Sequence, residues 1–151
     1  MAERSASPLD TGLRLLVRRE HSVRELRTKL ASRGFEPDVI DRTLNELVER
    51  DLLSDERFAA AFVRSRLERG QGPLKIRSQL KQRGVSGALT ESVLIRADVD
   101  WDRCASSARL RRFGEQAPGD RSELARQARF LRSRGFSEGQ VARALLSEFS
   151  R

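Results

Sequence analysis

A helix–glycine–helix corner recurs three times along the chain, at Arg33-Gly34-Phe35, Arg83-Gly84-Val85 and Arg134-Gly135-Phe136, spaced by fifty and then fifty-one residues. Such a period marks a supersecondary unit that cannot bury its apolar face alone and must stack on its neighbours. In the first copy Val23, Leu26 and Leu30 share one face of a helix. Gly34 suits a left-handed C-terminal cap, and Phe35 supplies the apolar contact that follows one. Pro37 opens the next helix, where the N–H it lacks would be unpaired anyway. Val39, Ile40, Thr43, Leu44 and Leu47 continue the apolar face. Ile76 and Leu80 stand fifty positions after Leu26 and Leu30, and Leu131 holds the same place in the third copy. Val141, Ala144 and Leu145 match Ile40, Thr43 and Leu44, while Gln127 replaces Leu26 and Ile76 and makes the third copy the most divergent.

Each corner is preceded by a further helical pattern. Leu9, Leu13, Leu16 and Val17 mark one that ends near His21; Phe58, Phe62, Val63 and Leu67 mark another; Trp101, Cys104, Ala105, Ala108 and Leu110 mark a third, which stops by Gly114. Ser22 with Glu25, Asp120 with Glu123 and Ser137 with Gln140 have capping-box spacing, and Ser54 and Ser86 are N-cap candidates. Pro73 opens a helix after the Gly70-Gln71-Gly72 break. No stretch alternates with period two, so no strand is assigned. The expected fold is all-α: three tandem three-helix, helix-turn-helix-like repeats stacked into an elongated curved body of about nine helices. The divisions are a disordered N-terminus over 1–8 and repeats over 9–50, 51–98 and 99–151.

The chemistry of the chain is charge rather than catalysis. The net charge is +8, and only three of the 30 basic residues are lysine. Biased coding explains arginine in place of lysine, but not the uneven distribution: residues 101–151 carry 11 basic and six acidic side chains, against ten and nine over residues 1–50. Seven basic residues stand against Glu68 alone between Arg64 and Arg83. This distribution points to nucleic acid, whose phosphates the arginine fork suits. His21, the only histidine, reads as a loop or cap residue rather than a general base. Cys104, the only cysteine, reads as core and can form no internal disulfide. One His with one Cys cannot assemble a usual zinc site, and no Gly-rich loop ends in Gly-Lys-Ser/Thr. No apolar run approaches membrane-spanning length, and no secretory leader opens the chain. The expectation is a cytoplasmic protein, not an enzyme, with neither cofactor nor metal.

The candidate partner and DNA contacts are the basic side chains. The densest set is Arg64, Arg66, Arg69, Lys75, Arg77, Lys81 and Arg83; Arg24, Arg27 and Lys29 follow, then Arg109, Arg111, Arg112, Arg126, Arg129 and Arg132. A glycine corner between short helices is also how a helix-turn-helix reader is built, so a DNA-binding repressor or architectural protein is the alternative. Against it, the second helix of the first copy opens on Glu36-Pro37-Asp38, which would repel phosphates, and that of the second copy on Ser86-Gly87-Ala88.

Three motifs in order carry a resemblance: Glu25-Leu26-Arg27-x-Lys29-Leu30-x-x-x-Gly34-Phe35, then Leu52-Leu53-Ser54-Asp55-Glu56-Arg57-Phe58-Ala59, then Gly72-Pro73-x-x-Ile76-x-x-x-Leu80-x-x-x-Gly84-Val85. Over about Leu13 to Phe149 the chain resembles the RecX regulatory proteins of bacteria, more loosely in the third copy. The resemblance implies three tandem three-helix repeats. It also implies an inhibitor that lies in the groove of the RecA–DNA filament and suppresses ATPase, strand exchange and coprotease activity in recombination and the SOS response. The implied partners are the RecA filament and single- and double-stranded DNA without sequence specificity, with no membrane.

Overall fold

The computed structural model describes residues 6–146, and among them every regular element is an α-helix. The helices are α1 (Pro8–Arg18), α2 (Val23–Ser32), α3 (Pro37–Glu49), α4 (Asp55–Glu68), α5 (Pro73–Gln82), α6 (Gly87–Ala97), α7 (Trp101–Phe113), α8 (Arg121–Ser133) and α9 (Glu138–Leu146). The expected disordered N-terminus falls partly outside the described residues; within them, Ser7 already caps α1 through a 3.1 Å bond from the Asp10 N–H. The end of the third repeat, residues 147–151, also lies outside them.

The sequence patterns become caps in instructive ways. Ser22, Ser54, Ser86, Asp100, Asp120 and Ser137 each accept from the backbone N–H three residues on. Among the described residues, only Ser137 and Gln140 close the box in both directions, at 2.9 and 3.2 Å. Glu25 instead turns its carboxylate to Arg19 at 2.8 Å, and Glu123 turns to Arg126 and Gln127. The first helix stops three residues short of the expected His21, because Arg19 is extended and leads into the buried pair His21 and Ser22.

The Ser54-Asp55-Glu56-Arg57 motif is a structural clasp. The Asp55 carboxylate accepts from the Val23 N–H at 2.8 Å, satisfying an unpaired donor at the start of α2. Arg57 reaches Glu20 at 3.0 Å and both the carboxylate and carbonyl of Asp51, at 2.9 and 2.7 Å.

Two compact units form, one from the chain up to Ala61 with Leu80–Val93, the other from Phe62–Gln79 with the chain from Leu94 onward. In the first, α1, α2 and α3 pack on one another around Leu26, Leu30, Ile40, Leu44, Leu47 and Leu53. In the second, α7, α8 and α9 enclose a core of smaller residues, with Ala105, Ala108, Ala128 and Ala144 beside Leu131, Phe136, Val141 and Leu145.

Each unit also contains the same joint. Gly84 and Gly135 hold φ near +83° and +96°, conformations that exclude most side chains. In the first unit the Ser22 hydroxyl donates to the Arg83 carbonyl at 2.7 Å, and a Cβ on Gly84 would lie 2.7 Å from the Arg24 Cβ. In the second unit Gly72 N–H donates to the Arg134 carbonyl at 2.7 Å and Leu74 N–H to the Gly135 carbonyl at 2.9 Å. The corner after α8 thus satisfies donors at the start of α5, so opposite helix dipole ends meet. Gly72 needs no capping side chain, because the corner replaces it; a Cβ there would lie 2.5 Å from the Gly135 carbonyl. Glu123 stands in the repeat place of Ser22 and Gly72, yet α8 begins earlier, at Arg121.

Candidate nucleic-acid interface

The sixteen basic residues singled out by sequence separate into three groups. Arg109 is a correction: it is 1% exposed, so it is no surface contact. Its Nε donates to the Gln127 Oε1 at 3.0 Å and an Nη to the Gln116 carbonyl at 2.8 Å. A buried guanidinium needs acceptors, and Gln127, the polar residue that breaks the apolar pattern of the repeat, supplies one.

A second group is engaged within the fold. Arg27 pairs with Asp41, Arg126 with Glu123 and Arg132 with Glu138. The side-chain hydrogen bonds in the last two pairs lift the arginine pKa values and lower those of the carboxyl groups. Arg83 lies 3.5 Å from Glu25, Arg66 stacks 4.4 Å over the Phe62 ring, and Lys75 is half-buried against the Gly135 corner. Arg77 is also half-buried. Lys29 donates to the His21 Nε2 at 2.9 Å, while the opposite ring nitrogen bonds the Arg19 carbonyl at 3.0 Å. That arrangement needs a neutral imidazole, and burial holds the His21 pKa below its ordinary value. Burial likewise lowers the Lys29 pKa and pushes the Cys104 thiol up, away from a reactive thiolate.

The third group, Arg24, Arg64, Arg69, Lys81, Arg111, Arg112 and Arg129, is exposed and makes no salt bridge with a described residue. Three of these converge in the second unit. Arg69, at the end of α4, Arg111 and Arg112, in the last turn of α7, and Arg134, the C-cap of α8, line a depression of about 170 Å³ floored by Gly70, Ala108 and Phe130. Phe130 meets Phe113 edge to face at 5.3 Å. The Arg134 guanidinium lies 5.1 Å from the Phe130 ring centre, and that of Arg112 lies 5.4 Å from Phe113 and 5.9 Å from Phe130. Sequence reasoning missed Arg134 and the two rings; the signal available was that every corner glycine follows an arginine. A hollow of about 220 Å³ in the first unit, lined by Arg24, Thr28, Lys29, Gln82 and Arg83, also contains Glu25. No carboxylate lines the four-arginine cradle.

These features define an all-α protein built of three-helix units, with exposed arginines gathered on its surface. Comparison with known proteins agrees. The family profile for the first three-helix domain of RecX matches residues 9–47, and that for the second matches residues 54–94. The regulatory protein RecX of Halorhodospira halophila is 52% identical over 135 residues, 89% of this chain and 84% of its own. That of Chromohalobacter salexigens is 46% identical over 146 residues, covering 96% and 95%. The crystal structure of RecX from Lactobacillus salivarius superposes with a TM-score of 0.79 at 21% identity over 95% of this chain and 96% of that one, a likeness of fold. The chain belongs to the RecX family of regulatory proteins.

Proposed function

We propose that the protein binds the RecA–DNA filament and inhibits the ATPase, recombinase and coprotease activities of RecA, restraining recombination and the SOS response from within the cytoplasm. The observation that carries this reading is family membership across nearly the whole chain, at up to 52% identity to proteins named as regulators. The surface supports it. Exposed cations that make no salt bridge with a described residue lie in both units, at Arg24 and Lys81 in one and at Arg64, Arg69, Arg111, Arg112 and Arg129 in the other. Separate basic sites on one chain gain avidity from individually weak phosphate contacts, a binding mode that suits a repeating polymer. The start of α3 carries Glu36 and Asp38, which would repel phosphates, and that of α6 carries Ser86, Gly87 and Ala88, which offer little to a base edge; both disfavour a sequence-specific repressor.

The test is the DNA-dependent ATPase of RecA titrated with this protein. Inhibition at well below one molecule per RecA protomer is expected. An unchanged ATPase, together with tight binding to one duplex sequence, would replace this reading with the repressor.

A further inference from the structure

We propose that the cradle of Arg69, Arg111, Arg112 and Arg134 is a dedicated phosphate-binding site that grips neighbouring phosphates of a nucleic-acid strand; this rests on the reading that the protein meets DNA within the filament. Four guanidiniums converge on one depression with no carboxylate in its lining, whereas Arg126 and Arg132 on the same helix α8 are neutralised by Glu123 and Glu138. The rings of Phe113 and Phe130 hold two of the guanidiniums by cation–π contact. Stacking fixes the plane of each fork while leaving its N–H edge open, so less side-chain freedom is lost when a phosphate binds.

Two further features favour an anion. Helix C-termini present carbonyls that would repel one, but the Arg134 and Gly135 carbonyls are occupied by the Gly72 and Leu74 N–H groups, and the Arg66 carbonyl by the Gln71 N–H. The depression, at about 170 Å³, is below the roughly 300–1,000 Å³ of ordinary small-molecule pockets. It suits phosphates of a strand whose sugars and bases remain outside, better than it suits an enclosed nucleotide.

The experiment measures binding of the full chain to a fluorescein-labelled oligothymidylate by anisotropy, across a salt series. Arg69→Ala/Arg111→Ala/Arg112→Ala should weaken binding at least tenfold at about 100 mM salt. It should also flatten the log–log salt slope by about 1.4–2, since each single-strand phosphate contact contributes about 0.7. Arg27→Ala/Arg132→Ala/Arg143→Ala removes the same charge from residues paired with Asp41, Glu138 and Asp102, and should change affinity less than threefold. Arg112→Lys/Arg134→Lys keeps the charge but loses fork and stacking; it should bind several-fold more weakly with a nearly unchanged slope. Equal losses in the two triple-alanine variants would overturn the proposal. So would micromolar tripolyphosphate binding that the cradle variant loses while its oligothymidylate affinity stays intact, because the site would then serve a free polyphosphate. If the wild-type protein inhibits RecA but the cradle variant binds the strand normally, only the cradle is withdrawn. If the wild type neither inhibits RecA nor binds DNA, the functional reading falls with it.

Discussion

A methyl group on Gly135 would sit 2.7 Å from the Lys75 backbone nitrogen, whereas one on Gly34 would meet nothing within 4 Å. Both residues have positive φ, so both alanine variants carry the left-handed penalty of about 1 kcal/mol. Only Gly135→Ala must also push apart the joint between the corner and α5, at roughly 1–3 kcal/mol more. Urea denaturation should therefore rank Gly135→Ala as at least 2 kcal/mol worse than Gly34→Ala; equal losses would mean the joint yields freely. His21 supplies a pH signature. Burial lowers its folded pKa, with the Arg19 and Lys29 charges acting in the same direction, the Arg19 carbonyl and Glu25 opposing. The unfolded chain then binds more protons than the native one below the ordinary histidine value of about 6.5. Stability contributed by neutral His21 is thus full above that pH and is lost as the pH falls toward the folded pKa. Thermal melts between about pH 7.5 and 5 should fall less steeply for His21→Gln than for the wild type. The loop role of His21 was legible in its position, but its burial against Lys29 was not, because that contact depends on how α1 and α2 pack.

At the scale of helices, α7 and α8 are tied by the Arg109–Gln127 pair. Gln127→Leu restores the apolar residue of the repeat but strips the buried Arg109 Nε of its acceptor, and should cost about 2 kcal/mol. Replacing both residues with leucine should recover much of that loss, since a buried polar pair often exchanges for apolar residues with little net change. A double-mutant cycle by chemical denaturation measures the coupling, and purely additive losses would show that the pair is not a unit. Most helix starts were readable from Ser, Asp and Pro positions, because caps are local chemistry, but Ser7 and Pro8, which open α1, fall within the terminus expected to be disordered. The fate of Arg109 was not. One sequence position before it lies buried Ala108 and one after it exposed Leu110, so spacing along α7 leaves its direction undecided. Gln127 announced that the third copy needed a polar partner without naming it.

For the whole molecule, the 30 basic side chains overstate what a polyanion meets, since Arg109 is inside and Arg27, Arg126 and Arg132 face carboxylates. The inhibition proposed above should still fade as salt rises from about 50 to 200 mM, because phosphate contacts release counterions. The threefold repeat was plain in the sequence, as its glycines and apolar residues recur by number. The four-arginine cradle was not, because Arg69, Arg111, Arg112 and Arg134 come from three helices and only folding brings them together. The joints, finally, have a direction. The Gly84 and Gly135 corners each receive the start of a preceding helix, while no described residue comes within 4 Å of a Cβ placed on Gly34. A designer wishing to lengthen this protein should add a triplet ahead of α1, with glycine or serine opening its second helix to seat on Arg33 and Gly34.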